Sequence, residues 1–213
     1  MQGIDPHRDP TNNTGSKFLI GSTMSQKEIL FLQNKLRVSR FYLEFGSGFS
    51  TLEALVLVRD QIISVETSAE YIESLSNHIS ELGLNRSKVH FHHSSIGQTK
   101  NWGHPTDDQE IRKWPKYSKI EIGGFSKTFK PDLALIDGRF RVSTFVNLYI
   151  NYPGLEIIFD DYADRPQYHV VEKLLIPKET CGRIALFKVP RIRRQSQISH
   201  AVEILQDFIL NPD

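Results

Sequence analysis

The chain has 213 residues, 39% of them hydrophobic and 24% charged, enough apolar material for one domain with a sizeable core. Its 26 basic and 25 acidic side chains leave a net charge of +1, so no global electrostatic case for nucleic acid arises. The single cysteine, Cys181, excludes an internal disulfide framework and suits a reducing, cytoplasmic setting. No apolar run approaches the ~20 residues of a membrane span, and the start of the chain has no apolar signal core. Neither a membrane nor a nucleic-acid partner is expected.

Residues 1–24, rich in Gly, Pro, Asn, Asp and Thr, read as an extended arm. The domain proper covers 25–213. Ser25-Gln-Lys-Glu28 has capping-box spacing ahead of Ile29, Leu30, Leu32 and Leu36, which predicts a helix over about 25–37. Arg40–Phe45 reads as the first strand, Ser50–Arg59 as a short helix, and Gln61–Val65 as the second strand, ending at Glu66. Ser68 can cap a helix carrying Tyr71, Ile72, Leu75, Ile79 and Leu82, with Gly83 after its end. Lys88–His93, Pro131–Ile136 and Glu156–Phe159 read as strands three to five. Helices are expected over Arg141–Ile150, about 166–175 and Ile198–Leu210, with a further strand over Arg183–Val189.

Short apolar strands alternating with helices predict an α/β fold: a doubly wound, mainly parallel, Rossmann-like sheet in a three-layer αβα sandwich. Ligands in such sheets sit outside the carboxyl ends of the strands. That rule puts Glu44, Glu66, Ser94, Asp137, Asp160 and Asp161 along one rim.

The first strand runs into Glu44-Phe-Gly-Ser-Gly-Phe-Ser-Thr51. Gly46 and Gly48 permit a tight turn and close ligand approach, and the next helix offers free N–H groups. The third glycine of a dinucleotide fingerprint is absent; Thr51 stands there. A carboxylate at Glu44 would repel a pyrophosphate but suits an ammonium group. Glu66, 18 residues past Gly48, suits ribose hydroxyls. A ligand with a ribose and an ammonium but no phosphate is S-adenosylmethionine.

On these motifs the chain resembles the class I S-adenosylmethionine-dependent methyltransferases over about residues 40–190. The resemblance implies that Glu44, Gly46, Gly48 and Ser50 surround the methionine part of the cofactor, that Glu66 holds the ribose, and that Ser94 and Ser95 approach the adenine. The family often carries an acidic residue at that last place, which is missing here.

Asp137 ends strand four, and Asp160-Asp161 end strand five. Carboxylates brought together this way call for a proton or a cation, and Mg²⁺ takes such ligands. The pattern resembles the metal-dependent O-methyltransferases of the catechol and macrocin-type branches, which implies Asp137, Asp160 and Asp161 as metal ligands. The other reading makes them helix caps and turn residues. Phe140 stands where the catechol branch has a lysine base. Arg139 and Arg141 flank it, and arginine is a poor base but a good anion ligand.

Residues 97–130 form an insertion over the same rim, with Trp102, His104, Trp114 and Tyr117, and read as a substrate-specificity segment. His104 and Asp137 are the candidate catalytic groups. His90 and His92 share one strand face without a third ligand, so zinc is not expected. The basic run Lys188, Arg191, Arg193, Arg194 reads as a solvated face or a contact for an acidic partner.

The expected function is S-adenosylmethionine-dependent methylation, at oxygen, of a small-molecule acceptor, with a possible divalent cation and a possible homo-oligomer. The alternative is a non-catalytic, regulatory S-adenosylmethionine-binding module.

Overall fold

A computed structural model describes residues 21–120 and 129–212. The predicted arm lies outside these up to residue 20. Seven strands form one sheet: β1 (Phe41–Phe45), β2 (Gln61–Glu66), β3 (Val89–His93), β4 (Leu133–Ile136), β5 (Glu156–Phe159), β6 (Glu179–Cys181) and β7 (Ile184–Lys188). Their order is β3-β2-β1-β4-β5-β7-β6. The first five run parallel; β7 is antiparallel to β5 and to β6. The strand order reverses beside β1, between β1 and β4, and the Gly-rich turn stands at this switch point.

Alternation along each strand sends side chains to two separate cores. Tyr42, Ile62, Leu133, Leu135, Ile158 and Leu186 pack beneath helices α1 (Gln26–Val38), α2 (Phe49–Leu57) and α3 (Ala69–Glu81). Leu43, Phe45, Ile63, Val65, Ile136, Phe159 and Phe187 face the opposite layer. That layer includes α4 (Pro115–Ser118), α5 (Arg141–Asn151), a 3₁₀ segment (Pro166–Lys173) and α6 (Gln195–Phe208). The three-layer αβα architecture expected from the sequence is the one observed.

Local chemistry sets the helix ends. Ser25 and Glu28 close the predicted capping box on α1, and Glu28 also accepts from the Arg183 N–H at 2.6 Å. One side chain thus caps a helix and ties it to the β6–β7 turn. Gly182 in that turn has φ +59°, and a Cβ there would meet the Glu28 carboxylate at 2.4 Å. Ser68 caps α3.

Two elements differ from the sequence reading. The segment expected as a helix over 166–175 winds as 3₁₀ turns, entered through Pro166. The three-residue edge strand β6 is too short to leave a pattern. Cys181 lies on it, partly exposed rather than buried as its apolar character suggests. No helix among the described residues is long and apolar enough to cross a membrane.

Candidate active site

The turn after β1 is braced from below. Glu44 is fully buried on the α2 side of the sheet. Its carboxylate accepts from four hydroxyls: Tyr42 (3.2 Å), Ser50 (2.8 Å), Thr51 (2.5 Å) and Ser64 (2.7 Å). Burial pushes its pKa up, and the hydroxyl donors pull it back. Thr51 explains the missing third glycine: its hydroxyl also accepts from the Gly48 N–H at 2.9 Å, closing the first turn of α2. Glu44 and Ser50, predicted to flank the methionine part, therefore spend their side chains on each other beneath the turn.

Gly46 has φ +94°, and a Cβ there would stand 2.8 Å from the Gly138 nitrogen. The loops after β1 and β4 meet backbone to backbone, and only glycine allows it on either side. Gly138 is tighter still, since its Cβ would fall 1.9 Å from the Tyr117 hydroxyl. Tyr117, buried against Phe45 and Phe140, thus seals the two loops from above.

Glu66 ends β2 half-buried. One oxygen accepts from Ser47 N–H at 3.0 Å; the other accepts from Thr67 N–H (2.6 Å) and Ser68 N–H (3.1 Å). The glutamate thereby clamps the Gly-rich turn to the start of α3. Beside it opens a cleft of about 390 Å³ lined by Thr67, Ser68, His93, Ser95, Gln98 and Thr106. Ser95 lines this cleft, whereas Ser94 is buried, its N–H donating to the Glu66 carbonyl at 2.8 Å. His93 is fixed by a contact between its Nε2 and the Thr67 carbonyl at 3.0 Å.

The three aspartates do converge: Asp137, Asp160 and Asp161 bring ligand-type oxygens within 4.8 Å of one another. Three arginines converge with them. Arg141, 2% exposed, donates to the carbonyls of Gly138 (2.9 Å), Asp160 (2.7 Å) and Asp137 (3.1 Å), and to Asp137 Oδ1 (3.2 Å). It also pairs with Asp161 Oδ2 at 3.2 Å. Arg165 reaches the same oxygen at 3.0 Å, and Arg183 holds Asp161 Oδ1. Burial drives the Asp160 pKa well up, and the charges of Asp137 and Asp161 add to it. Asp137 shifts up too, again through burial, with Arg141 opposing. A third of the Asp137 side-chain surface stays open, so solvent tempers its shift.

Much of this donor set is engaged by the protein's own cations. Both Asp161 oxygens are taken by guanidinium groups, and Asp160 is held toward its neutral form. One buried oxygen, Asp160 Oδ1, has no hydrogen-bond partner among the described residues. A hard cation needs several free oxygens and would stand against three guanidinium charges. The arginines supply positive charge at the place where the sequence reading put Mg²⁺.

The insertion lies across the rim. A bridge between Thr99 and Pro105 starts it, and the Lys100 N–H donates to the His104 carbonyl at 2.8 Å. A Cβ on Gly103 would touch the Thr67 hydroxyl at 3.1 Å, so the segment reaches from the β2 end toward Arg139. Trp114 anchors it through its indole N–H to the Ile96 carbonyl at 2.9 Å. Residues 121–128 of the insertion lie outside the described part. His104 Nε2 stands 2.7 Å from Arg139 Nη1. Burial and the charges of Arg139 and Lys100 lower its pKa to about 4. The imidazole is therefore neutral, but the guanidinium takes its Nε2 lone pair. Sequence reasoning missed this pairing because Arg139 is 35 residues away, with no periodic relation to His104.

Strain collects at the same place. Among the described residues, the non-glycine positions with positive φ are Trp102 (+61°), Phe140 (+55°) and Asp161 (+57°). Each costs about 1–3 kcal/mol, and such costs gather at functional sites. All three lie on the rim or the insertion above it.

No protein-family model matches the chain, and no curated protein matches it by sequence. Solved structures do. The chain is similar to a methyltransferase-like protein from Silicibacter pomeroyi DSS-3, at 27% identity and a TM-score of 0.78, covering 90% of this chain and 98% of that one. It is similar in fold to a methyltransferase from Geobacter sulfurreducens, at 8% identity and a TM-score of 0.50, covering 78% and 80%. The fold is thus that of the class I methyltransferases. Together with the likeness to the first of these proteins it supports S-adenosylmethionine-dependent methyltransferase activity.

Proposed function

We propose that the protein transfers the methyl group of S-adenosylmethionine to an oxygen of an anionic small molecule, without a resident metal ion. The observation that carries the reading is the Glu66 clamp, which ties the Gly-rich turn at the sheet's switch point to the start of α3 beside an open cleft at the ends of β2 and β3. In it, Glu66 accepts from the ribose hydroxyls. Gly46 and Gly48 let the methionine part approach the backbone, with Glu44 and Ser50 bracing the turn from beneath. Ser95 and His93 face the adenine side, with Ser94 holding the loop between them.

On the acceptor side, Arg139 and Lys100 stand by His104, outside the Arg141–Asp161 cluster. A carboxylate or phosphate on the acceptor suits that surface. The methyl group moves by in-line displacement at the sulfonium, where alignment supplies much of the rate. The acceptor hydroxyl must lose a proton. Asp137, partly open and held in place by Arg141, is the better base. His104 cannot accept at Nε2 while Arg139 donates there, so it positions Arg139 instead. The catechol and macrocin-type branches rest on a metal, and the arginine cluster removes that support from the resemblance.

The test is calorimetric titration with S-adenosylhomocysteine. Glu66→Ala is expected to lose affinity by about 10–100-fold, about 1.4–2.8 kcal/mol, with the fold intact by circular dichroism. Wild-type affinity in that variant would sink the placement. Binding without S-adenosylhomocysteine formation across a panel of hydroxylated carboxylates would favour the regulatory module.

A further inference from the structure

A second cleft lies on the other side of the molecule. β7 ends at Lys188, paired with Glu156 at the start of β5. Helix α6 therefore begins below the amino ends of the parallel strands, far from the rim. The cleft there, about 240 Å³, is lined by Tyr149, Lys173, Leu174, Ser196, Gln197 and His200.

Its chemistry is that of an anion site. α6 is 14 residues long, and no side chain caps its first turn against the free N–H groups. Gln197 turns its side-chain oxygen to the Arg194 N–H at 2.9 Å, away from those donors. Lys173 faces them from the end of the 3₁₀ segment, and His200 from the second turn of α6. Arg193 lies over the Tyr149 ring at 5.6 Å and donates to the Tyr149 carbonyl. Arg194 adds charge at the helix start. The opposing carboxylates are few: Glu203 holds His200 at 3.2 Å, and Glu172 is turned to the Tyr162 hydroxyl at 2.8 Å.

The independent sign is Tyr149. It is fully buried, it lines the cleft, and its hydroxyl has no hydrogen-bond partner among the described residues. An unmade bond of that kind costs about 1–3 kcal/mol, so a buried phenol against a cleft marks a place where an acceptor belongs. We propose that this cleft binds the phosphoryl group of a small phosphorylated molecule. The helix N-terminus and Lys173 offset its near-double charge, the His200 ring offers a polar contact, and the Tyr149 hydroxyl donates to one of its oxygens. A terminal phosphate fits better than a phosphodiester, whose single charge leaves most of these cations unmatched. Arg193 and Arg194, part of the basic run Lys188, Arg191, Arg193, Arg194 read from sequence as a solvated face or a contact for an acidic partner, then border a ligand. The inference does not depend on the methyl-transfer reading.

The experiment is a titration of the full, isotope-labelled chain with inorganic phosphate at constant ionic strength, followed by amide NMR. Saturable shifts at Gln195, Ser196 and Gln197 are expected. Lys173→Glu should weaken them by about tenfold or more. Tyr149→Phe, which removes no existing hydrogen bond and so keeps the fold, should weaken them by about three- to tenfold. A mononucleotide 5′-phosphate should bind more tightly than an oligonucleotide lacking a terminal phosphate. The proposal fails if the first turn of α6 shows no saturable shift, or if both variants bind as wild type does. Tighter binding of the oligonucleotide also overturns it.

Discussion

Replacing Arg141 by methionine tests whether arginines, not a cation, hold the aspartate cluster. Methionine keeps the length and apolar bulk of the side chain and removes five hydrogen-bonding groups. Three carbonyls, those of Asp137, Gly138 and Asp160, lose their guanidinium donors, and Asp137 and Asp161 lose one charge partner each. Removing one partner from a buried charge pair costs about 3–5 kcal/mol. Asp161 keeps Arg165 and Arg183, and a third of the Asp137 side-chain surface is open to solvent, so the low end applies: about 3 kcal/mol. For a domain of this size that lowers Tm by about 6–12 °C. Urea unfolding with an unchanged slope is the assay, run with and without 1 mM Mg²⁺. Wild-type protein is expected to be indifferent to the ion. The variant, with carboxylate oxygens released, is expected to recover part of its stability in Mg²⁺. A wild-type urea midpoint that rises with Mg²⁺, or a variant as stable as wild type, would refute the arginine account.

Two further expectations concern the rim. Gly138→Ala places a methyl within 1.9 Å of the Tyr117 hydroxyl and 3.0 Å of the Gly46 nitrogen; the ring must leave, opening the insertion, at a cost of about 1–3 kcal/mol. Thermal unfolding and proteolysis within residues 97–120 read this out, and unchanged protection would contradict the packing. His104, lowered to about 4 by burial and Arg139, should titrate near that value by NMR rather than near 6.5. The sign follows: folding favours the neutral ring, so its contribution is complete above pH 6.5 and fades as pH falls toward 4. A midpoint near 6.5 would mean that the contact with Arg139 is not made.

The architecture was legible because each layer obeys a local period. Tyr42 and Leu43 face opposite cores in a five-residue strand, and Leu32 and Leu36 share one side of α1. Capping by Ser25 and Ser68 needed only neighbours three residues away. The strand ends could be placed on one rim for the same reason. A parallel sheet aligns carboxyl termini, so Glu44, Glu66, Asp137 and Asp160 follow from knowing where four apolar runs stop.

What those side chains do there was not legible, and the reason is common to all of them. Glu44 is answered by hydroxyls from its own strand, α2 and β2; Asp161 by arginines at 141, 165 and 183; His104 by Arg139. A carboxylate at a strand end carries the same sequence signal whether it faces a ligand, a cation or a buried hydroxyl. The deciding partner comes from another element, at no fixed spacing. Arg141 shows how such a partner changes the chemistry. Seen from the sequence it is the first residue of a helix, where a positive charge is unfavourable next to the helix dipole. It tolerates that position because the Asp137 and Asp161 carboxylates pair with it and the Asp160 carbonyl accepts from it. That same arrangement answers strand-end carboxylates with fixed protein charges drawn from three separate elements.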